Sequence, residues 1–116
     1  VRLLGRAFGG TAQPGRRLPI VYGEYGVETA IPPAKASLYT GTEPAVTVDE
    51  ATQARYYTEA IGAAACQRTV RMFFVFHVTD ERDLRGLQSG TRYADGSPKT
   101  SLAPVRKVAD RPRCRR

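Results

Sequence analysis

Two apolar runs in this chain end on side chains that could do chemistry. The run 18–23, LPIVYG, stops at the carboxylate Glu24, and the run 70–76, VRMFFVF, stops at His77, the chain's one histidine. A carboxylate at the end of a buried strand suits nucleophilic attack or proton transfer, and an imidazole at a neighbouring strand end can orient it or contact a hydroxyl-rich ligand. Glu28 lies four positions beyond Glu24 and is the rival carboxylate, read here as a loop or ligand-contacting residue. Tyr25, Tyr39 and Tyr93 are the local aromatic rings that could offer an apolar platform, in a chain without tryptophan. His77 is followed by Asp80, Glu81 and Asp83, but one histidine with turn carboxylates makes loop hydrogen bonds more often than a metal centre, so no metal is expected. Gly86, Gly90 and Gly96 do not open a helix after a strand at phosphate-loop spacing, and no nucleotide or other cofactor is implied. Cys66 and Cys114 have no second pair and no nearby histidine, so the expectation is two free thiols, one buried and one exposed.

The elements that must position these residues follow from periodicity. Leu3, Leu4, Ala7 and Phe8 suit the last turns of an amphipathic helix ending at Gly9-Gly10. The run 18–22 is short, apolar and β-branched, with Pro19 tolerable only near a strand's first residue. A loop rich in Pro, Gly and Thr covers about 25–46, a length uncommon unless the loop has a role. Thr47 and Glu50 have the spacing of a capping box, and Ala54, Tyr57, Ile61 and Ala64 then recur as a helical stripe with Gln53, Arg55 and Glu59 off it. Residues 70–76 form a second strand, apolar on both faces as buried parallel strands are. A polar loop and a short helix over 101–109 close the order helix, strand, helix, strand, helix. Two parallel strands of this kind need neighbours on their edges and cover on both faces, so the sequence reads as an incomplete α/β unit.

Charge and hydropathy exclude other classes. Of the net charge of +7, residues 105–116 carry +5, with six basic residues against Asp110. The excess is therefore a basic tail, 111–116, behind a domain spanning 1–110, and nucleic-acid docking is not expected. The apolar runs are far shorter than the ~20 residues of a membrane-spanning helix. Neither a signal peptide nor a localisation can be read from the sequence.

Residues 18–26, LPIVYGEYG, resemble the seventh-strand motif of the clan A glycoside hydrolases, the cellulase-like family 5 group: apolar strand, small residue, Glu, aromatic, Gly. Residues 76–81 and 88–99 resemble the closing loop of actinobacterial-type members, and the order of elements resembles the end of their barrel. The resemblance implies that the chain is the C-terminal portion of a (β/α)8 TIM barrel, with an N-terminal barrel portion supplied from elsewhere. It also implies a retaining hydrolase of O-glycosyl bonds in a β-glycoside or polysaccharide. Glu24 would be the nucleophile, and His77, Tyr25, Glu28 and Tyr39 would contact the carbohydrate. In that family the acid/base follows an asparagine at the fourth strand, and the sequence has no asparagine. The isolated chain is therefore expected to be inactive; the alternative is a noncatalytic carbohydrate-binding barrel remnant.

Overall fold

The computed structural model describes residues 2–12, 18–111 and 114. Helix α1 spans Arg2–Ala7, strand β1 Ile20–Tyr25, helix α2 Glu50–Ala65, strand β2 Val70–Val75 and helix α3 Leu102–Asp110; a 3-10 helix, Pro33–Leu38, interrupts the first long loop. The helix, strand, helix, strand, helix order is that expected from the sequence. β1 and β2 pair in parallel as a two-stranded sheet, giving an α/β fold. β1 runs three residues past the strand expected over 18–22, taking in Gly23, Glu24 and Tyr25.

The sheet is irregular in two places. The register pairs Ile20 with Val70, Val21 with Met72, Tyr22 with Phe73 and Tyr25 with Val75. Between the last two pairs, Gly23 and Glu24 on β1 stand against Phe74 alone on β2, a bulge. The extra residue reverses the side-chain alternation, so Tyr22 and Tyr25 both reach Phe73, at ring separations of 5.8 and 5.5 Å. Tyr25 also packs edge-on against Tyr57 of α2 at 5.7 Å, which makes this the helix-covered face. Val21, Met72 and Phe74 belong to the other face and remain half exposed, at 53, 56 and 50%. The radius of gyration, 17.1 Å, exceeds the roughly 13–14 Å of a compact chain of this length.

Helix α2 begins later than its sequence signature suggests. Thr29 and Val48 form a parallel bridge, with Val48 N–H donating to Glu28 O and Ala30 N–H to Val48 O, both at 2.9 Å. That pairing holds residues 47–48 extended, and the first helical turn starts only after Asp49. The Asp49 carboxylate, not Thr47, caps the helix by accepting from Thr52 N–H at 2.6 Å. Glu50 does not turn back toward Thr47. Its carboxylate accepts from the Thr100 amide and hydroxyl, both at 2.6 Å, and from the Tyr93 hydroxyl. The buried face of α2 also differs from the expected stripe: it carries Gln53, Tyr57 and Ala64, while Ala54 and Ile61 are only half buried.

The cysteines are not free. Cys66, the C-cap of α2, and Cys114 form a disulfide across 48 positions of sequence, tying the chain beyond α3 to the end of α2. Spacing could not reveal this, because α3 must first pack along α2 to bring the two ends together. Disulfides persist in oxidising surroundings. Of the basic tail expected over 111–116, Arg111 and Cys114 lie among the described residues and the others lie outside them. Among the described residues no helix is long and apolar enough to cross a membrane.

The capping geometry separates the two candidate caps at the amino end of α2, Thr47 and Asp49. Asp49→Ala should lower the urea midpoint of unfolding, followed by far-ultraviolet circular dichroism, while Thr47→Ala leaves it within error; a midpoint that follows Thr47 would restore the earlier helix start.

Candidate functional site

Both long loops, 26–49 and 76–101, fold over the carboxyl ends of the strands and pack against each other. Their junction is the best-buried part of the molecule, and it is mostly polar. Thr29, Gln53, Asp80, Gln88, Ser89, Thr91, Lys99 and Ser101 are buried beside Tyr39, Tyr57 and Tyr93.

At its centre Lys99 and Asp80 form an ion pair at 2.8 Å, both side chains fully inaccessible to solvent. Lys99 Nζ donates to Thr29 Oγ1 at 2.6 Å, Asp80 Oδ1 at 2.8 Å and Gln88 O at 2.9 Å, which uses its three protons. Asp80 also accepts from Tyr39 Oη at 2.7 Å and from Gly90 N–H at 2.8 Å. Burial pushes the Asp80 carboxyl up and the Lys99 ammonium down, each opposed by the attraction of the other. Gly90 is required at its position: a Cβ there would come within 2.6 Å of the Asp80 amide nitrogen.

Helix α2 supplies the second layer of this junction. Gln53 and Tyr57, one turn apart, face the loops together. Gln53 Nε2 donates to Val27 O at 2.8 Å and Gly90 O at 3.2 Å, and its Oε1 accepts from Ser101 Oγ at 2.5 Å. Tyr57 Oη donates to Ser89 O at 2.5 Å and accepts from Val27 N–H at 3.0 Å. Burial raises the Tyr57 phenol to about 12, so it stays a donor across the ordinary pH range.

The strand ends sit on this support. Phe76 N–H donates to Tyr25 O at 3.0 Å, which continues the sheet pairing one residue past β2. The Phe76–His77 peptide is cis. The His77 amide donates to Ser89 Oγ at 3.0 Å, and its half-buried imidazole lies 3.6 Å from the Phe76 ring, centroid to centroid. Its Nδ1 is 3.9 Å from Glu81 Oε1 and makes no hydrogen bond. Glu24 is exposed in the bulge. Gly23 and Glu24 together take the place of one residue between Tyr22 and Tyr25, which both face α2, so Glu24 stands opposite Phe74 on the uncovered side.

The other expected site residues divide into two groups. Glu28 is half buried near the strand ends; desolvation first, and then the neighbouring Glu43, raise its carboxyl, while the Gln88 amide pulls it down. One oxygen of each of these two carboxylates is buried without a hydrogen bond. Tyr25 serves as packing between the sheet and α2. Tyr39 is 8% exposed and its hydroxyl is engaged with both Asp80 and the Ala94 amide, at 2.7 and 3.1 Å. Tyr93 is equally buried, with Lys35 and Lys99 on its ring at 5.1 and 5.7 Å. The carboxylates after His77 disperse: Asp80 goes to Lys99, Asp83 pairs with Arg85 at 2.8 Å, and Glu81 lies beside His77. A cleft of about 850 Å³ lined by Arg55, Glu59, Gly62, Lys107 and Arg111 lies between α2 and α3, away from the strand ends.

The residues missed by sequence reasoning are those of the junction: Lys99, Ser89, Gln53 and Gln88. No local pattern marks a buried lysine in a polar loop; Gly90 is the nearest signal, since it is needed where two backbones touch. Comparison of the chain with known protein families, characterised proteins and solved structures finds no match.

Two outcomes follow from this geometry. Lys99→Met strands a buried carboxylate and should cost about 3–5 kcal/mol, whereas the double change Lys99→Met with Asp80→Leu should cost less than either single one, read from denaturant unfolding. At the exposed turn, Ser97 hydrogen bonds and then Lys35 hold the Asp95 carboxyl down to about 2 from its ordinary 3.8. A depressed folded-state value means that its stabilisation is complete above pH ~4 and is lost as pH falls toward ~2. Carbon-13 titration of the Asp95 carboxyl checks this, and Asp95→Asn should remove that part of the acid limb.

Proposed function

We propose that this chain carries the nucleophile half of a retaining glycoside hydrolase, as the C-terminal portion of a (β/α)8 barrel with Glu24 as the nucleophile. The observation that supports the reading most is the placement of Glu24: an exposed carboxylate in a bulge at the carboxyl end of a parallel strand, next to the strand end that presents His77. In barrels of alternating strands and helices, reacting groups stand at that end, and bulges beside active sites re-aim a side chain. The exposed Val21, Met72 and Phe74 fit the interior face of a closed sheet, to be filled by side chains of further strands.

In this reading the Glu24 carboxylate attacks the anomeric carbon as the glycosidic bond breaks. The leaving oxygen takes a proton from a second carboxyl, held ~5–5.5 Å away on an upstream strand. Water, deprotonated by that same group, then releases the sugar from Glu24. His77 contacts a sugar hydroxyl or the nucleophile, and Glu28 lines the loop wall. Tyr25 and Tyr39 act from behind, as supports of β1 and of the loop junction.

Incubating the full-length polypeptide with a 2-deoxy-2-fluoro glycoside and mapping the labelled peptide tests the assignment. The label is expected on Glu24, and Glu24→Gln should lower turnover by about three orders of magnitude or more. A label on Glu28 overturns the nucleophile. Carbohydrate binding without any turnover favours the noncatalytic remnant.

A further inference from the structure

Ser89 stands behind the strand ends, at a point where the segments following β1 and β2 meet α2. Its hydroxyl donates to Phe76 O and accepts from His77 N–H at 3.0 Å, so it holds both polar groups of the peptide that carries His77. Its own carbonyl accepts from Tyr57 Oη at 2.5 Å, and the same hydroxyl of Tyr57 accepts from Val27 N–H, three residues beyond Glu24. Gly26 closes the assembly: a Cβ there would lie 2.7 Å from Phe76 O and 3.2 Å from both Ser89 Cβ and Oγ. Ser89 is 1% exposed, and neither face of its hydroxyl is left for a ligand.

The geometry points to Ser89 as the positioning residue of the site, fixing the strand end that bears His77 against the one that bears Glu24. The inference rests on the functional reading above only for its catalytic consequence; the mechanical linkage stands on the hydrogen bonds alone. Ser89 never touches the substrate. Its contribution is the distance and angle between two side chains on different strands, where a displacement of about 1 Å is enough to cost a hundredfold in rate. The Tyr57 hydroxyl is met by the backbone carbonyl of Ser89, which any residue would supply; what the side chain itself adds is the pair of hydrogen bonds to the His77 amide and the Phe76 carbonyl.

The test is amide hydrogen exchange on the full chain, read residue by residue, for Ser89→Ala and for Gly26→Ala, which crowds the same hydroxyl from the β1 side. Both variants should speed exchange at His77 by about tenfold or more relative to the α2 amides, since each loosens the hydrogen bond between that amide and the Ser89 hydroxyl. In the full-length enzyme both should lower kcat with little change in KM, and Ser89→Thr, which keeps the hydroxyl, should recover part of it. Unchanged exchange at His77 in both variants overturns the proposal, and so does an increase spread evenly through α2. If exchange responds at His77 but no glycoside is turned over by the parent enzyme, the linkage holds and it is the hydrolase reading that fails.

Discussion

The molecule is organised around an ammonium group that water cannot reach. Removing Lys99 and Asp80 from solvent is costly, and the cost is met only because every proton of one and the lone pairs of the other are used. Those partners come from distant parts of the chain: Thr29 and Tyr39 from the first loop, Gln88 and Gly90 from the second. Meeting the demands of one ion pair therefore fixes two loops that lack regular structure. A hydrophobic contact of similar area would tolerate sliding; this one accepts a single arrangement.

That rigidity is transmitted to the strand ends through α2. Gln53 and Tyr57 share the buried face of α2 with Ala64, and they give the loop backbone hydrogen-bond partners. The result inverts the usual layering. The face of the sheet toward α2 is held by Tyr22, Tyr25, Phe73 and Tyr57, the loop junction is polar, and the opposite sheet face keeps its apolar side chains in the open. Glu24 emerges on that open face because a two-residue bulge turns it away from the helix. Its position depends on the bulge and on the loops behind.

Much of this architecture was legible in the sequence, and for local reasons. The strands at 20–25 and 70–75, the helix in the middle and the short helix at the end each carry their own periodicity, and parallel pairing follows from a helix-length crossover between the two strands. Glu24 and His77 were visible because apolar runs end on them. The bond from Tyr39 to Asp80 was not legible, because an aromatic ring in a polar loop looks the same in sequence whatever its hydroxyl engages.

What the sequence determined by itself was the order and type of the elements and the carboxylate and imidazole at the strand ends, since period and composition act over neighbouring residues. Only the tertiary structure decided the rest. It set the start of α2, because Val48 is claimed by Glu28 and Ala30 across the loop. It joined Cys66 to Cys114, because α3 packs back along α2. It made Lys99 an internal cross-link and Ser89 a clamp, because a hydrogen bond between residues 13 or 70 positions apart leaves no periodic trace in the chain that forms it.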